Sequence, residues 1–209
     1  MPKQYNLYID GQWTAGDAYV DNVSPSDAND VIGVYAQANP SQVEAALQAA
    51  NRAVLEWGDS PLESRFQMLM AIGNELIERS AELGELLARE EGKTRAEGIG
   101  EVYRSGQFFH YFAGEVHRQI DDRAESVRPG VEIDTRREPV GVVAIISPWN
   151  FPMATAVWKI APALAFGNAV NFNPANLVPA SAWALTEIIS PQEALPPGTF
   201  KLVMGYGGS

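Results

Sequence analysis

The sequence predicts an α/β fold: a doubly wound parallel sheet, incomplete, preceded by an N-terminal β arm and a layer of helices. Three observations carry this. Residues Val140-Gly141-Val142-Val143-Ala144-Ile145-Ile146 form an apolar, β-branched run, the composition of a strand buried in a parallel sheet. The run stops at Ser147-Pro148-Trp149-Asn150-Phe151-Pro152, a proline-bounded corner, and ligand sites in open α/β sheets lie where such strands end. From Val142 onward, strand-like and helix-like stretches alternate as βαβαβ, which implies parallel strands joined by right-handed crossovers.

In chain order, Tyr5 to Ile9 and Gln12 to Thr14 flank Asp10-Gly11 and predict a hairpin. Tyr19 to Val23 and Val31 to Ala36 read as further short strands, completing the β arm. Asn39-Pro40-Ser41-Gln42 opens a helix with a capping residue and a first-turn proline; its 3.6-residue face is Val43, Ala46, Leu47, Ala50, Val54, Leu55 and Trp57. Ser60-Pro61 opens a second, carrying Phe66, Leu69, Met70, Ile72, Leu76 and Ile77. A third runs from about Ser80 to Glu90 and ends at Gly92; a fourth runs from about Thr94 to Gln119 with Val102, Phe108, Phe109, Phe112 and Val116. Asp121 to Arg128 is polar and reads as a loop, whereas Val131 to Arg137 alternates strictly, as a half-exposed strand does. Then come strand Val142 to Ile146, a helix from about Pro152 to Phe166, strand Ala169 to Phe172, helix Pro179 to Ile189 and strand Thr199 to Val203. The last residues, Gly205-Tyr206-Gly207-Gly208-Ser209, fall where the next helix would begin. The expected division is 1–120 for arm and helices, 121–142 for an extended connection, and 143–209 for the βαβαβ unit.

A formal net charge of −11 over 209 residues argues against nucleic-acid binding, which needs clustered Lys and Arg. No apolar run reaches the ~18 residues of a membrane span, and Met1 to Tyr5 contains no apolar signal core, so a cytoplasmic protein is expected. The chain contains no cysteine, which removes disulfides, thiolate metal sites and thiol nucleophiles. His110 and His117 are the only imidazoles; they share a helix face loosely and read as surface or interface residues, so no metal site is expected.

Glu138-Pro139-Val140-Gly141-Val142-Val143, Pro148-Trp149-Asn150-Phe151-Pro152 and Trp158-Lys159-Ile160-Ala161-Pro162-Ala163-Leu164-Ala165-Phe166-Gly167-Asn168 together resemble the aldehyde dehydrogenase superfamily. The resemblance extends back through Glu91-Gly92-Lys93 and forward through Leu195-Pro196-Pro197-Gly198-Thr199-Phe200, with a semialdehyde-dehydrogenase-like flavour. It implies a Rossmann-like cofactor domain, an oligomerisation arm at 121–142 and oxidation of aldehydes to acids with NAD or NADP through a cysteine thioester. A family member is about twice this length, so the chain resembles the N-terminal half only. The partners it implies are a small-molecule aldehyde and either a second copy, as a homo-oligomer, or the missing C-terminal half.

By the same resemblance Asn150 matches the asparagine whose amide helps form the oxyanion hole, a donor worth ~10²–10³ in rate. From the residues alone it reads equally as a turn asparagine. Ile146, Ser147, Pro148 and Trp149 match the strand end that lines the nicotinamide ribose; the plainer reading is core and turn. Gly205 and Gly207 match the start of a glycine-bearing turn beneath the adenosine side, a weak signal at a chain end. The family places a lysine on the adenosine ribose in a Lys-Pro-Ala/Ser-Glu turn; here the turn is Asn173-Pro174-Ala175-Asn176, without cation or acid. Asparagine still bonds a hydroxyl but loses the charge that pairs a 2′-phosphate, so NAD is favoured over NADP and either is expected to bind weakly or not at all. Asn171 sits where a strand wants Val or Ile, and an unpaired buried amide costs roughly 1–3 kcal/mol.

With no cysteine present, the chain is expected not to turn over aldehyde, since losing a nucleophile costs on the order of 10⁶ in rate. Three readings remain: part of an NAD(P)-dependent aldehyde dehydrogenase, a degenerate non-catalytic binding or assembly module, or a stable protein without ligand. An unpaired strand is expected where the chain ends, inviting self-association.

Overall fold

The computed structural model describes residues 3–118 and 121–205. The N-terminal hairpin forms as β2 (Leu7–Ile9) and β3 (Gln12–Thr14) around Asp10 (φ 50) and Gly11 (φ 77). Two consecutive positive φ values are those of a tight type I′ turn. The expected strand from Tyr5 is divided at Asn6. Trp183 Nε1 donates to the Asn6 carbonyl at 3.2 Å and the Tyr19 hydroxyl donates to its Oδ1 at 2.7 Å. β1 (Gln4–Tyr5) therefore joins a separate sheet with β4 (Ala18–Val23) and β5 (Val31–Gln37), in the order β1-β5-β4.

Helix α1 (Pro40–Gly58) begins as expected, with Asn39 and Gln42 closing a reciprocal capping box. Its buried face is different. Ala46, Ala49, Ala50, Ala53 and Trp57 point inward, whereas Leu55 is 75% exposed and Val43 and Leu47 lie at the surface. The helix lies too close to its neighbours for large side chains: a Cβ on Gly198 would stand 2.6 Å from the Ala49 carbonyl. Next come α2 (Leu62–Glu78), α3 (Ser80–Glu91), which ends at Gly92 with φ 87, and α4 (Arg95–Val116), capped by Thr94 and Glu97. α4 packs closely on α3 because both lack side chains at the crossing, where a Cβ on Gly98 would meet the Gly84 carbonyl at 2.3 Å.

The polar stretch expected as a loop contains a strand. β6 (Asp122–Glu125) pairs antiparallel with β7 (Glu132–Thr135), and every residue of both is exposed rather than half-exposed. Pairing needs only backbone groups, so a strand without an apolar face leaves no periodic trace in sequence.

The main sheet contains β8 (Val142–Ile146), β9 (Ala169–Asn173) and β10 (Phe200–Leu202) in parallel, with α5 (Ala154–Ala165) and α6 (Pro179–Ile189) as the crossovers. Its order is β3-β2-β10-β9-β8. The terminal strand is thus not the open edge: β2 pairs antiparallel with β10 at Tyr8–Leu202. Among the described residues the open edge of the parallel part is β8, so the run expected to be buried is an edge strand: only Ile145 is buried in it and Ile146 is 76% exposed, because β8 pairs on one side alone. The alternate residues Ile145, Phe172 and Leu202 are buried in the core.

Candidate active site

The carboxyl ends of β8, β9 and β10 lie side by side. Ile146 is registered against Asn173, the Ser147 amide donates to the Asn173 carbonyl at 3.3 Å, and the Val203 amide donates to the Phe172 carbonyl at 2.9 Å. Ile146, Ser147 and Asn173 are thereby brought together, with Pro174 and the Ala175–Val178 turn containing Asn176 just beyond them. Gly205 follows β10 by three residues; Gly207 lies outside the described residues. A Cβ on Gly205 would meet nothing closer than 3.6 Å, so packing here does not require glycine.

At the tip of β8 the chain turns through Ser147 to Met153 before α5 begins, which is why the helix starts later than its first proline suggests. Pro148, Trp149, Asn150 and Phe151 are exposed, whereas Pro152 and Met153 are buried. Ser147 is buried and its Oγ has no hydrogen-bond partner among the described residues. An orphaned hydroxyl at a strand end is a group that a ligand can satisfy.

What holds this corner comes from α4. Glu101 is buried on the stripe that includes Gly98, Val102, Ser105 and Phe109. Its Oε1 accepts the Met153 and Ala154 amides, both at 3.0 Å, satisfying the first turn of α5. Its Oε2 takes a 2.6 Å hydrogen bond from Lys93 Nζ. Lys93 Nζ also donates to the Asn150 carbonyl at 3.3 Å and sits 4.5 Å from the centre of the Phe151 ring. Glu91 Oε2 is a further 2.6 Å neighbour of the same ammonium. The Asn150 main chain is therefore pinned, while its side-chain amide makes no hydrogen bond among the described residues and projects into solvent. That is the geometry of a donor available to an incoming oxygen.

α6 is capped in a comparable way. Glu90 is fully buried and accepts the Ala180 amide (2.6 Å), the Ser181 amide (2.8 Å) and the Ser181 hydroxyl (2.6 Å). Burial pushes its carboxyl up to about 7, while these three donors pull it back down. Helix N-termini are the ordinary phosphate-binding points of α/β folds. Here both crossover helices already carry a protein carboxylate, so a dinucleotide's phosphates have no place at either. The groups left for a cofactor are the strand ends: Ile146, the Ser147 hydroxyl, Asn173 and Gly205.

Asn171 is half-buried and its Oδ1 has no partner among the described residues, as its place in the strand suggested. Its registered neighbour on β10 is Lys201, fully buried, whose Nζ donates to the Gly198 carbonyl at 2.6 Å. Burial lowers this amine to about 7, partly offset by Asp10. Lys201 does not replace the cation absent at Asn173, because its Nζ turns toward Gly198 at the start of the strand. His110 is engaged by Asn74 Oδ1 at 2.9 Å, and His117 lies 3.6 Å from Glu63.

Glu101 and Glu90 carry no expectation from sequence, and Lys93 entered only as part of a resembling motif. One signal was present: an acid on the apolar stripe of a helix, at Glu101. The partners of that acid, 52 and 53 residues away, were not legible.

A sheet of parallel strands with helical crossovers and a proline-bounded corner at its carboxyl rim is of the doubly wound α/β class. The profile of the aldehyde dehydrogenase family matches residues 13–209, and the chain belongs to that family. The alpha-ketoglutarate semialdehyde dehydrogenase of Haloferax volcanii is 36% identical over 204 residues, covering 97% of this chain and 42% of the relative. The corresponding protein of Bacillus subtilis is 36% identical over 208 residues, again covering 97% and 42%. Among solved structures, betaine aldehyde dehydrogenase from Staphylococcus aureus in complex with NAD+ superposes with a TM-score of 0.94 at 31% identity, covering 98% of this chain and 41% of that one. The fold is thus the family's Rossmann-like one, and the chain spans about two-fifths of the length of these relatives.

Proposed function

We propose that this chain carries the cofactor-side part of an NAD(P)-dependent aldehyde dehydrogenase site and that it does not turn over aldehyde by itself. Asn150 is the oxyanion donor; Ile146, Ser147, Pro148 and Trp149 receive the nicotinamide side; Asn173, Pro174, Asn176, Gly205 and Gly207 receive the adenosine side. The observation that carries this reading is the pinned corner: Glu101 and Lys93 fix the main chain of Asn150 while its amide stays unbonded. The semialdehyde names of the relatives support a semialdehyde as the substrate class.

A thioester mechanism needs a thiolate, and this sequence has no cysteine. The chemical step therefore requires a nucleophile from outside these 209 residues, and the open β8 edge is where further sheet would add. Self-association is expected through the exposed β6–β7 hairpin, whose Val131 and Ile133 face solvent. The experiment is an assay of NADH formation with short semialdehydes: pure protein should give none, and turnover that persists through purification to homogeneity refutes the reading. A second reading, a degenerate module without catalysis, is favoured by Asn173 alone, since losing the ribose-binding cation weakens cofactor retention.

A further inference from the structure

We propose that the corner between α1 and α2 is a second binding site, one that takes a phosphate group. A hollow of about 330 Å³ opens there, within the size range of small-ligand pockets, with Ser60, Leu62, Arg65, Arg137, Glu138 and Pro139 among its walls. It lies at the opposite end of β8 from the carboxyl rim, ~16 Å of strand away, and so is separate from the proposed cofactor surface. Leu62 is the first residue of α2, and no side chain caps that helix. The Leu62, Glu63 and Ser64 amides find no acceptor among the described residues. By contrast, capping boxes close the starts of α1 and α4, and Glu101 and Glu90 close those of α5 and α6. α3 also has no side-chain cap, but the arginine before it, Arg79, is paired with Glu75 and Glu82.

A helix start alone is satisfied by water. What turns this one into a site is Arg65, a guanidinium only 4% exposed. Its Nε donates to Ser60 Oγ at 2.8 Å, and its Nη2 donates to the Trp57 carbonyl at 2.9 Å and to the Gly58 carbonyl. Nη1 makes no hydrogen bond among the described residues. It sits where Gly58, Gly167 and Pro139 converge: a Cβ on Gly167 would stand 3.2 Å from Nη1, 3.1 Å from Gly58 Cα and 3.0 Å from Pro139 Cγ. Gly58 and Pro139 wall the hollow, so the spare donor is turned toward it. A buried guanidinium with an unspent donor and no paired carboxylate is costly to keep unless an anion meets it. Asp59 supports its charge without pairing with it, and Glu138 makes no ion pair among the described residues. Arg137, exposed on the strap after β7, adds a second guanidinium to the wall and is likewise without an ion pair among the described residues. The donors are thus the α2 amides, Arg65 Nη1 and the Arg137 fork. A tetrahedral phosphate offers these three groups three oxygens, where a planar carboxylate offers two.

The test is a titration of inorganic phosphate into the full chain at constant ionic strength, followed by amide NMR. Saturable shifts at the Leu62 and Glu63 amides are expected, absent when chloride replaces phosphate and weaker with acetate. Arg137→Gln should weaken binding about tenfold, the worth of one charge-assisted hydrogen bond. Arg137 is exposed, so the variant should fold. Glu138→Gln removes a carboxylate from the wall and should tighten binding about threefold. Glycerol 3-phosphate identifies the source: equal or weaker binding of the ester supports a site for free phosphate, and tighter binding supports a phosphorylated metabolite. No saturable shift at those amides, shifts confined to the Asn173 turn, an equal response to chloride or acetate, or unchanged affinity in Arg137→Gln overturns the proposal.

Discussion

Replacing Glu101 tests the idea that one buried carboxylate holds the corner between β8 and α5. Its side chain is 3% exposed, and it supports two amides of α5 and the ammonium of Lys93. Glu101→Ala leaves both amides without an acceptor, at about 1 kcal/mol each. Removing one partner of a buried ion pair costs about 3–5 kcal/mol, but Glu91 remains within 2.6 Å of Lys93 and offsets part of that. The expected loss is about 3–4 kcal/mol for Ala and about 1–2 kcal/mol for Gln, which still accepts the amides but loses the charge. Urea unfolding reads the loss as a lower midpoint at unchanged slope. Hydrogen exchange then locates it: the Met153 and Ala154 amides should exchange faster in both variants, out of proportion to the core of α4. An alanine variant within ~0.5 kcal/mol of wild type, the range of an ordinary surface substitution, with unchanged exchange at those amides, refutes the reasoning.

Three further outcomes follow from other parts of the molecule. Lys201→Met should stabilise the protein at pH 7, because the folded state holds the buried amine at about 7 against 10.5 when free, a gap worth on the order of 4 kcal/mol. Wild-type stability should rise relative to the variant as pH climbs from 7 toward 10 and stay parallel to it below 7; a constant difference in thermal unfolding across that range contradicts this. For Glu90 the sign is opposite: a raised carboxyl favours the folded state at low pH, so wild type should gain on Glu90→Gln as pH falls from about 7 toward 4.5. Stability that moves in parallel for the two proteins across that window would show the carboxyl titrates normally. Ile146→Lys places a charge on the open β8 edge and should reduce edge-mediated self-association in sedimentation at high concentration, leaving any association through β6–β7 to Ile133→Lys. If neither variant changes the sedimentation of an associating wild type, both surfaces are excluded.

The parts of the fold that were legible are those where composition and geometry coincide. The run from Val140 to Ile146 was recognised as a strand and the prolines after it mark where it ends, but it was misread as buried: β8 lies at the open edge of the described sheet with only Ile145 buried, because composition reports what a strand can bury and not which neighbours it has. α1 was recognised by its cap, yet its buried face was misassigned to Leu47 and Leu55. Periodicity weighs large side chains, whereas the close approach at Ala49 and Gly198 selects small ones. The division of the first strand at Asn6 depends on Trp183 and Tyr19, and no local pattern encodes a partner so distant. β6 was missed because a strand of Asp, Arg, Ala and Glu has no apolar alternation. The open edge was assigned to the last strand; the hairpin that covers β10 comes from the other end of the chain. Of the candidate site, the strand ends were readable and their support was not. Glu101 and Glu90 act across space on helix N-termini, and Lys93 on the Asn150 carbonyl, relations that one sequence does not display.

The central claim is that the carboxyl rim of β8 to β10 is a cofactor surface weakened by the loss of a cation at Asn173. Titration of NAD into wild type and Asn173→Lys, followed by tryptophan fluorescence, tests it most directly. Weak saturable quenching in wild type and binding about tenfold tighter in Asn173→Lys are expected, as one charge-assisted hydrogen bond is restored. Absence of binding in both proteins, or an added lysine that changes nothing, contradicts the account.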